Sequence, residues 1–282
     1  MDNILYRRSL LLCGFLIPVV FNPVEVLAED YNDDLRKNDY KWLQFNLMYA
    51  LKELPRKESD HSGHDYLEME FGGRSGFFDL YGYVDIFNLN NHSCSDKKDK
   101  EKIFAKLAPR FSLDAISGKD FSFGPVKELY IATLFNWSGG YEKNSEYEPV
   151  NKSFWGLGSD IMVPWLGKTG FNIYGLYDIN KKKWNGYQVS TNWFKPFYTF
   201  SNSSFLSYQG YIDYQFGAKD EFEGNSQTNH GGCIFSGLYW HSEHFAVGYG
   251  LKLYKDIYLI KDDSKVLKST GTSHYFDITY KF

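Results

Sequence analysis

Between residues 66 and 85 the chain sets ionisable and phenolic side chains at every second position. Glu68 and Glu70 come first, then Asp79, Tyr81, Tyr83 and Asp85. Spacing of two puts such a set on one face of an extended strand. Further along, Lys106 and Arg110 fall at like parity, as do Glu128 and Tyr130; Phe154, Asp160, Tyr174, Tyr211 and Asp213 extend the series. Tyrosine rings offer flat faces on which a planar base stacks, worth about 1–3 kcal/mol per base. Carboxylates and a guanidinium hydrogen-bond hydroxyls with charge assistance. The chemistry foreseen is reversible binding of a ring-bearing, hydroxylated solute by Glu68, Asp79, Tyr81, Tyr83, Asp85, Arg110, Glu128, Tyr130, Asp160 and Tyr174. The same charges could instead pair with one another and brace the wall that carries them.

The residues between these positions are apolar. Phe78, Leu80, Gly82, Val84 and Ile86 alternate with the set above, and Leu43, Phe45, Leu47, Tyr49 and Leu51 form a like face with Gln44, Asn46 and Lys52 opposite. Leu67, Met69 and Phe71, then Leu107, Pro109, Phe111 and Leu113, then Leu129, Ile131, Thr133 and Phe135 repeat the pattern. Further strands are predicted near 153–163, 169–180, 184–196, 204–216, 230–240, 244–254 and 272–282, which makes twelve. In the last, Phe276, Ile278, Tyr280 and Phe282 oppose Asp277, Thr279 and Lys281. Strands that are polar on one face and apolar on the other, in a chain with 23 Tyr, 24 Phe and 7 Trp among 282 residues, suit a barrel that meets lipid outside and water inside. Only a closed barrel satisfies every backbone group in lipid when no long apolar run is present. The fold expected is an all-β, 12-stranded antiparallel transmembrane β-barrel of meander topology.

The connections agree. Stretches 53–64, 88–103, 138–152, 217–229 and 255–271 are long and polar, whereas Gly72 to Gly76 and His241 to His244 read as tight turns at the other end. The stretch 115–125 is the exception, being long at the short-turn end. Residues 1–28 have the form of a signal peptide. Arg7 and Arg8 precede an apolar run from Ser9 to Phe21, and Val26-Leu27-Ala28 offers small residues for cleavage. That run falls short of the ~20 residues a spanning helix needs. Residues 29–282 are then the barrel, exported to the outer membrane of a Gram-negative bacterium.

Several functions are disfavoured. The 31 Lys+Arg against 35 Asp+Glu give a net charge of −4, unlike the basic excess of a nucleic-acid binder. His61, His64, His92, His230, His241, His244 and His274 fall in expected loops, turns or strand ends. None makes a recognisable set with a serine and an acid, so no enzyme is expected, nor a metal or cofactor. Beyond the signal segment only Cys94 and Cys233 remain, either bridged or as free thiols.

With these residues in view, the sequence resembles the Tsx-like nucleoside-specific channel-forming proteins, a group that includes the OmpK-type porins. Tyr66-Leu67-Glu68, the run Phe78 to Asp85, Pro109 to Asp114 and Phe121 to Glu128 carry the likeness, with Tyr130 and Ala132 following. Gly156 to Asp160, Trp184 to Tyr187, and Leu206-Ser207-Tyr208 through Gly210 complete it in order. Gln188, Ser190 and Asn192 depart from the basic residues that the family tends to carry there. The resemblance implies a monomeric channel for nucleosides and deoxynucleosides, with aromatics holding the base and ionisable groups the ribose at a string of weak sites. It also implies that assembly machinery reads the terminal Phe282. A general diffusion porin for other solutes is the alternative.

Overall fold

The computed structural model describes residues 34–57, 62–98, 100, 102–139, 149–219, 227–262 and 267–282. The expected signal peptide and its cleavage point lie outside them, as does His61. Twelve antiparallel strands close into a barrel in which each strand pairs with its sequence neighbours and the last pairs with the first. They are β1 (Tyr40–Leu51), β2 (Gly63–Ser75), β3 (Phe78–Phe87), β4 (Ile103–Ser112), β5 (Val126–Trp137) and β6 (Asn151–Val163). The round is completed by β7 (Gly167–Asp178), β8 (Lys183–Thr199), β9 (Phe205–Phe216), β10 (Gly231–His241), β11 (Phe245–Lys255) and β12 (Gly271–Lys281). Closure comes from β1 on β12, with Phe45 opposite Tyr280 and Leu47 opposite Ile278.

The alternation predicts the faces correctly. Leu47, Leu157, Ile173, Leu238, Val247 and Ile278 all point outward and are at least 45% exposed, the band that lipid covers. Their inward neighbours Asn46, Gly158, Asn172, Tyr239, Ala246 and Asp277 are small, polar or phenolic. Two inward glycines let strands approach closely: a Cβ at Gly156 would fall 1.9 Å from the Ile173 carbonyl oxygen, and one at Gly248 2.1 Å from the Tyr239 ring.

The turn expected from Gly72 to Gly76 is narrower than its composition suggests. Gly72, Gly73, Arg74 and Ser75 continue β2, and only Gly76 and Phe77 turn. The glycines serve packing here, since a Cβ on Gly72 would meet the Trp42 ring at 2.7 Å. The long connection at the short-turn end contains a helical turn, α1 (Leu113–Ser117). Ser112 caps its start by accepting from the Ala115 amide, and Gly118 ends it in the left-handed region at φ 64°. Asp114 then anchors the segment by accepting from the Phe121 and Leu129 amides at 3.0 and 3.1 Å. Leu113, expected in a strand, begins this helix instead. At the opposite end a short connection, 179–182, joins β7 to β8.

Candidate functional site

All ten expected site residues face the interior, but they divide into groups with different chemistry. Five of them close a network near the short-turn end. Arg74 grips Glu128 through both guanidinium nitrogens, at 2.6 and 2.9 Å, and Nη1 also reaches the Tyr130 hydroxyl at 3.3 Å. The Ser112 hydroxyl donates to the same carboxylate. The Tyr130 hydroxyl lies 2.7 Å from Glu128 and 3.1 Å from Asp160. Arg110 sits over the Tyr130 ring, 4.0 Å from its centre, and donates to Asp79 at 3.2 Å and Asp160 at 2.8 Å. Lys168 adds a third cation, 3.0 Å from Asp160. Glu128 and Tyr130 have no exposed surface and Asp160 almost none.

Register explains the assembly: Arg74 stands beside Asp79 and Asp79 beside Arg110, so two strand pairs bring opposite charges level, while Glu128 stands beside Asp160 and the two carboxylates share the cations that reach them. Tyr174 lies apart. It is buried with Ala132, Leu134, Phe154 and Leu176, its ring edge-on to Phe154 at 6.0 Å. Sequence reasoning missed Arg74, which it placed in a turn; its even parity with Glu68 and Glu70 was the available signal.

Glu68, Tyr81, Tyr83 and Asp85 belong to a second group on β12, β1, β2 and β3. Glu70 accepts from the Tyr81 hydroxyl at 2.8 Å and from Gln44 at 2.5 Å. The Asn46 amide nitrogen spans Glu68 and Glu70 at 2.6 and 3.2 Å. Glu68 stands level with Asp85, and Asp277 completes the wall from β12. The Tyr81 ring lies 6.2 Å from both Tyr83 and Trp42. Tyr81 is 37% exposed, so this strip keeps open aromatic and carboxylate surface that the Arg110 network lacks. Trp42 and Asp277 were not among the expected site residues, although both fall on the polar parity of their strands.

Above this strip, Lys252 is surrounded by phenols, with Tyr254, Tyr211 and Tyr275 ring centres at 5.0, 5.6 and 5.9 Å. Tyr211 stacks on Phe235 at 5.6 Å. Lys106 faces Asp213 at 3.4 Å, and Asp213 also takes the Ser190 hydroxyl at 2.6 Å. The departure at Gln188 is absorbed locally, since its amide reaches Ser190 at 2.8 Å and Gln215 donates to it at 2.9 Å.

The connections of the long-loop end fold over the opening. Lys97, from the β3–β4 connection, reaches Glu53 at 2.9 Å and covers the Phe87 ring. His64 was expected to be a solvated loop residue. Instead it is buried at the start of β2, with Asp96 at 2.7 Å and Glu53 at 3.4 Å. A strand that begins two residues earlier, at Gly63, explains the difference, because it turns His64 inward beneath the loop. Tyr275 donates to Glu53 at 2.9 Å. Burial would lift the Glu53 carboxyl, but Lys97, His64 and Lys252 outweigh it and hold it well below the ordinary carboxylate range. Cys94 is exposed and Cys233 buried, and both are free thiols. His241 contacts the Ser207 hydroxyl at 2.8 Å among the rings of Phe205, Phe194 and Tyr239.

A closed twelve-strand wall with a charged, phenol-lined interior and an apolar exterior describes a pore through a bilayer. The profile of the nucleoside-specific channel-forming protein Tsx matches residues 37–282 of this chain. The chain belongs to this family. It is 62% identical over 277 residues to outer membrane protein OmpK of Vibrio parahaemolyticus, covering 98% of this chain and all of that protein. It is also similar to nucleoside-specific channel-forming proteins Tsx. That of Salmonella typhimurium is 33% identical over 58% of this chain and 59% of its own length, and that of Escherichia coli O157:H7 is 27% identical over 77% and 81%. Membership of the Tsx family makes this protein an outer-membrane channel of a Gram-negative bacterium, in a family of porins rather than enzymes.

Proposed function

We propose that the barrel passes nucleosides and deoxynucleosides down their gradient, one molecule at a time, past weak sites on its inner wall. The observation that carries this reading is the strip in which the exposed Tyr81 ring lies beside those of Tyr83 and Trp42 while its hydroxyl holds Glu70. A base stacks on such rings, while Glu68 and Glu70 accept from ribose hydroxyls. The names of the Tsx relatives support the same solute class. Weak, repeated contacts suit passage, because a deep well would hold the solute in the pore. Asp79, Arg110, Glu128, Tyr130 and Asp160 act in this reading as a brace that sets the lumen's cross-section, since their charges are already matched. The protein works as a monomer, is exported on residues 1–28, and is assembled by machinery that reads Phe282.

Reconstitution in a planar bilayer tests the proposal. Adenosine added to one side should reduce the ion current in a saturable way, and ribose alone should do so only weakly. A general diffusion porin would conduct with no block by nucleoside at any concentration, and that outcome refutes the proposal.

A further inference from the structure

The wall built by β12, β1, β2 and β3 carries four carboxyl groups, Glu68, Glu70, Asp85 and Asp277, with no cation paired to any of them among the described residues. Glu70, Asp85 and Asp277 all lie within electrostatic reach of Glu68. The cations nearest Asp85 are engaged elsewhere, Lys97 on Glu53 and Lys252 among three tyrosine rings. The contrast with the network at the short-turn end is direct, where Arg74, Arg110 and Lys168 match Glu128, Asp79 and Asp160.

A second observation concerns Asn46, which is 97% buried by its 3% exposure. Its amide nitrogen donates to Glu68 and Glu70, which fixes the orientation of the group, because the reverse would set an oxygen against two carboxylates. The Asn46 amide oxygen is therefore held within the acidic wall, and it has no donor. One oxygen of Asp85 and one of Asp277 are likewise without a donor. Thr279 supplies a hydroxyl to the other Asp277 oxygen at 3.1 Å. Buried acceptors without donors are costly, and here they stand beside carboxylates that lack counter-charge. Small oxygen ligands of one sign, with the phenol faces of Tyr81 and Tyr239 nearby, are the surroundings that a monovalent cation prefers.

We propose that this wall is a monovalent-cation site, lined by Asn46, Glu68, Glu70, Asp85 and Asp277, and that it makes the channel's ionic current cation-selective. The ion is an alkali cation or a small ammonium, as both meet the same oxygens with one positive charge. The proposal goes beyond the identity of the solute, and it stands whether or not nucleosides bind.

The test is the reversal potential of the reconstituted channel under a KCl gradient. Wild type should show potassium permeating more than about tenfold better than chloride. The Asp277→Asn and Glu70→Gln substitutions should each lower that ratio by about tenfold, because removing one charge about 8 Å away at an effective dielectric constant near 60 disfavours potassium and favours chloride by about threefold each. Glu243→Gln, in the exposed β10–β11 turn, removes the same net charge outside the lumen and should leave the ratio unchanged. Bi-ionic potentials with caesium and ammonium distinguish the two kinds of cation. The heat-dependent shift in gel migration reports folding for each variant, and the isosteric asparagine keeps the wall's shape. A wild-type reversal potential near zero, as a shared proton in place of the ion would give, overturns the proposal. So does a ratio that both lumen substitutions leave intact. Loss of adenosine block with selectivity retained would count against the nucleoside reading alone.

Discussion

Replacing Arg74 by methionine separates a brace from a binding site. The guanidinium makes two short bonds to a carboxylate that has no exposed surface, so its removal strands the Glu128 charge in the wall. Breaking one side of a buried pair costs about 3–5 kcal/mol. The Ser112 and Tyr130 hydroxyls remain on Glu128 and relieve part of that, which places the expected loss near the lower bound of about 3 kcal/mol. With a urea slope of about 3 kcal/mol per molar, the unfolding midpoint in detergent should fall by about 1 M. Adding Glu128→Gln removes the stranded charge and should restore more than half of the loss. Tryptophan fluorescence gives the midpoints, and adenosine block gives the function. The double variant should still be blocked at wild-type concentrations, because Glu70 and Tyr81 lie outside this network. A midpoint unchanged in the single variant, or a double variant less stable than the single, would refute the reasoning.

Other outcomes follow from the same geometry. Tyr81→Ala should weaken adenosine block by roughly tenfold, within the ~1–3 kcal/mol of one stacked base, whereas Tyr81→Phe keeps the ring and should change block far less. Leu157→Arg places a cation on the lipid face near mid-strand and should cost about 2–4 kcal/mol in a lipid-folding titration. Gly156→Val sets side-chain carbon against the Ile173 carbonyl and should abolish the heat-modifiable folded band in outer-membrane fractions. Lys97→Met removes a cation from Glu53 and should loosen the β3–β4 loop over the opening, read as larger single-channel conductance. The folded Glu53 carboxyl titrates below its unfolded value, so its contribution is complete above the unfolded pKa and is lost only as pH falls through the lower, folded one. Lowering pH from 7 to 5 should therefore leave the wild-type loop in place, as measured by unchanged conductance.

Strand number and strand faces were legible in the sequence because side chains alternate with a period of two, and a bilayer punishes any error in that pattern. Leu47, Leu157 and Ile278 outside, with Glu68, Asp85 and Asp277 inside, needed nothing more than parity. Ends of strands were less legible. Gly72 and Gly73 look like a turn by composition, yet they are strand residues whose lack of a side chain admits Trp42 and the β1 backbone. His64 likewise reads as a loop residue until the β3–β4 connection is seen to fold onto it.

Parity also could not say which inward charges meet. Arg110 and Asp160 are separated by 50 residues, and Arg74 and Glu128 by 54, so only register, barrel closure and side-chain reach decide that they pair. Those same factors leave Glu68, Glu70, Asp85 and Asp277 without cations and Tyr81 with an open face. The amino-acid order determined that a lipid-facing cylinder must form and which residues would look into it. The three-dimensional arrangement alone determined which of those residues neutralise each other and which stay free to meet a solute, because Coulomb and hydrogen-bond energies depend on distances across the lumen that a linear pattern does not contain.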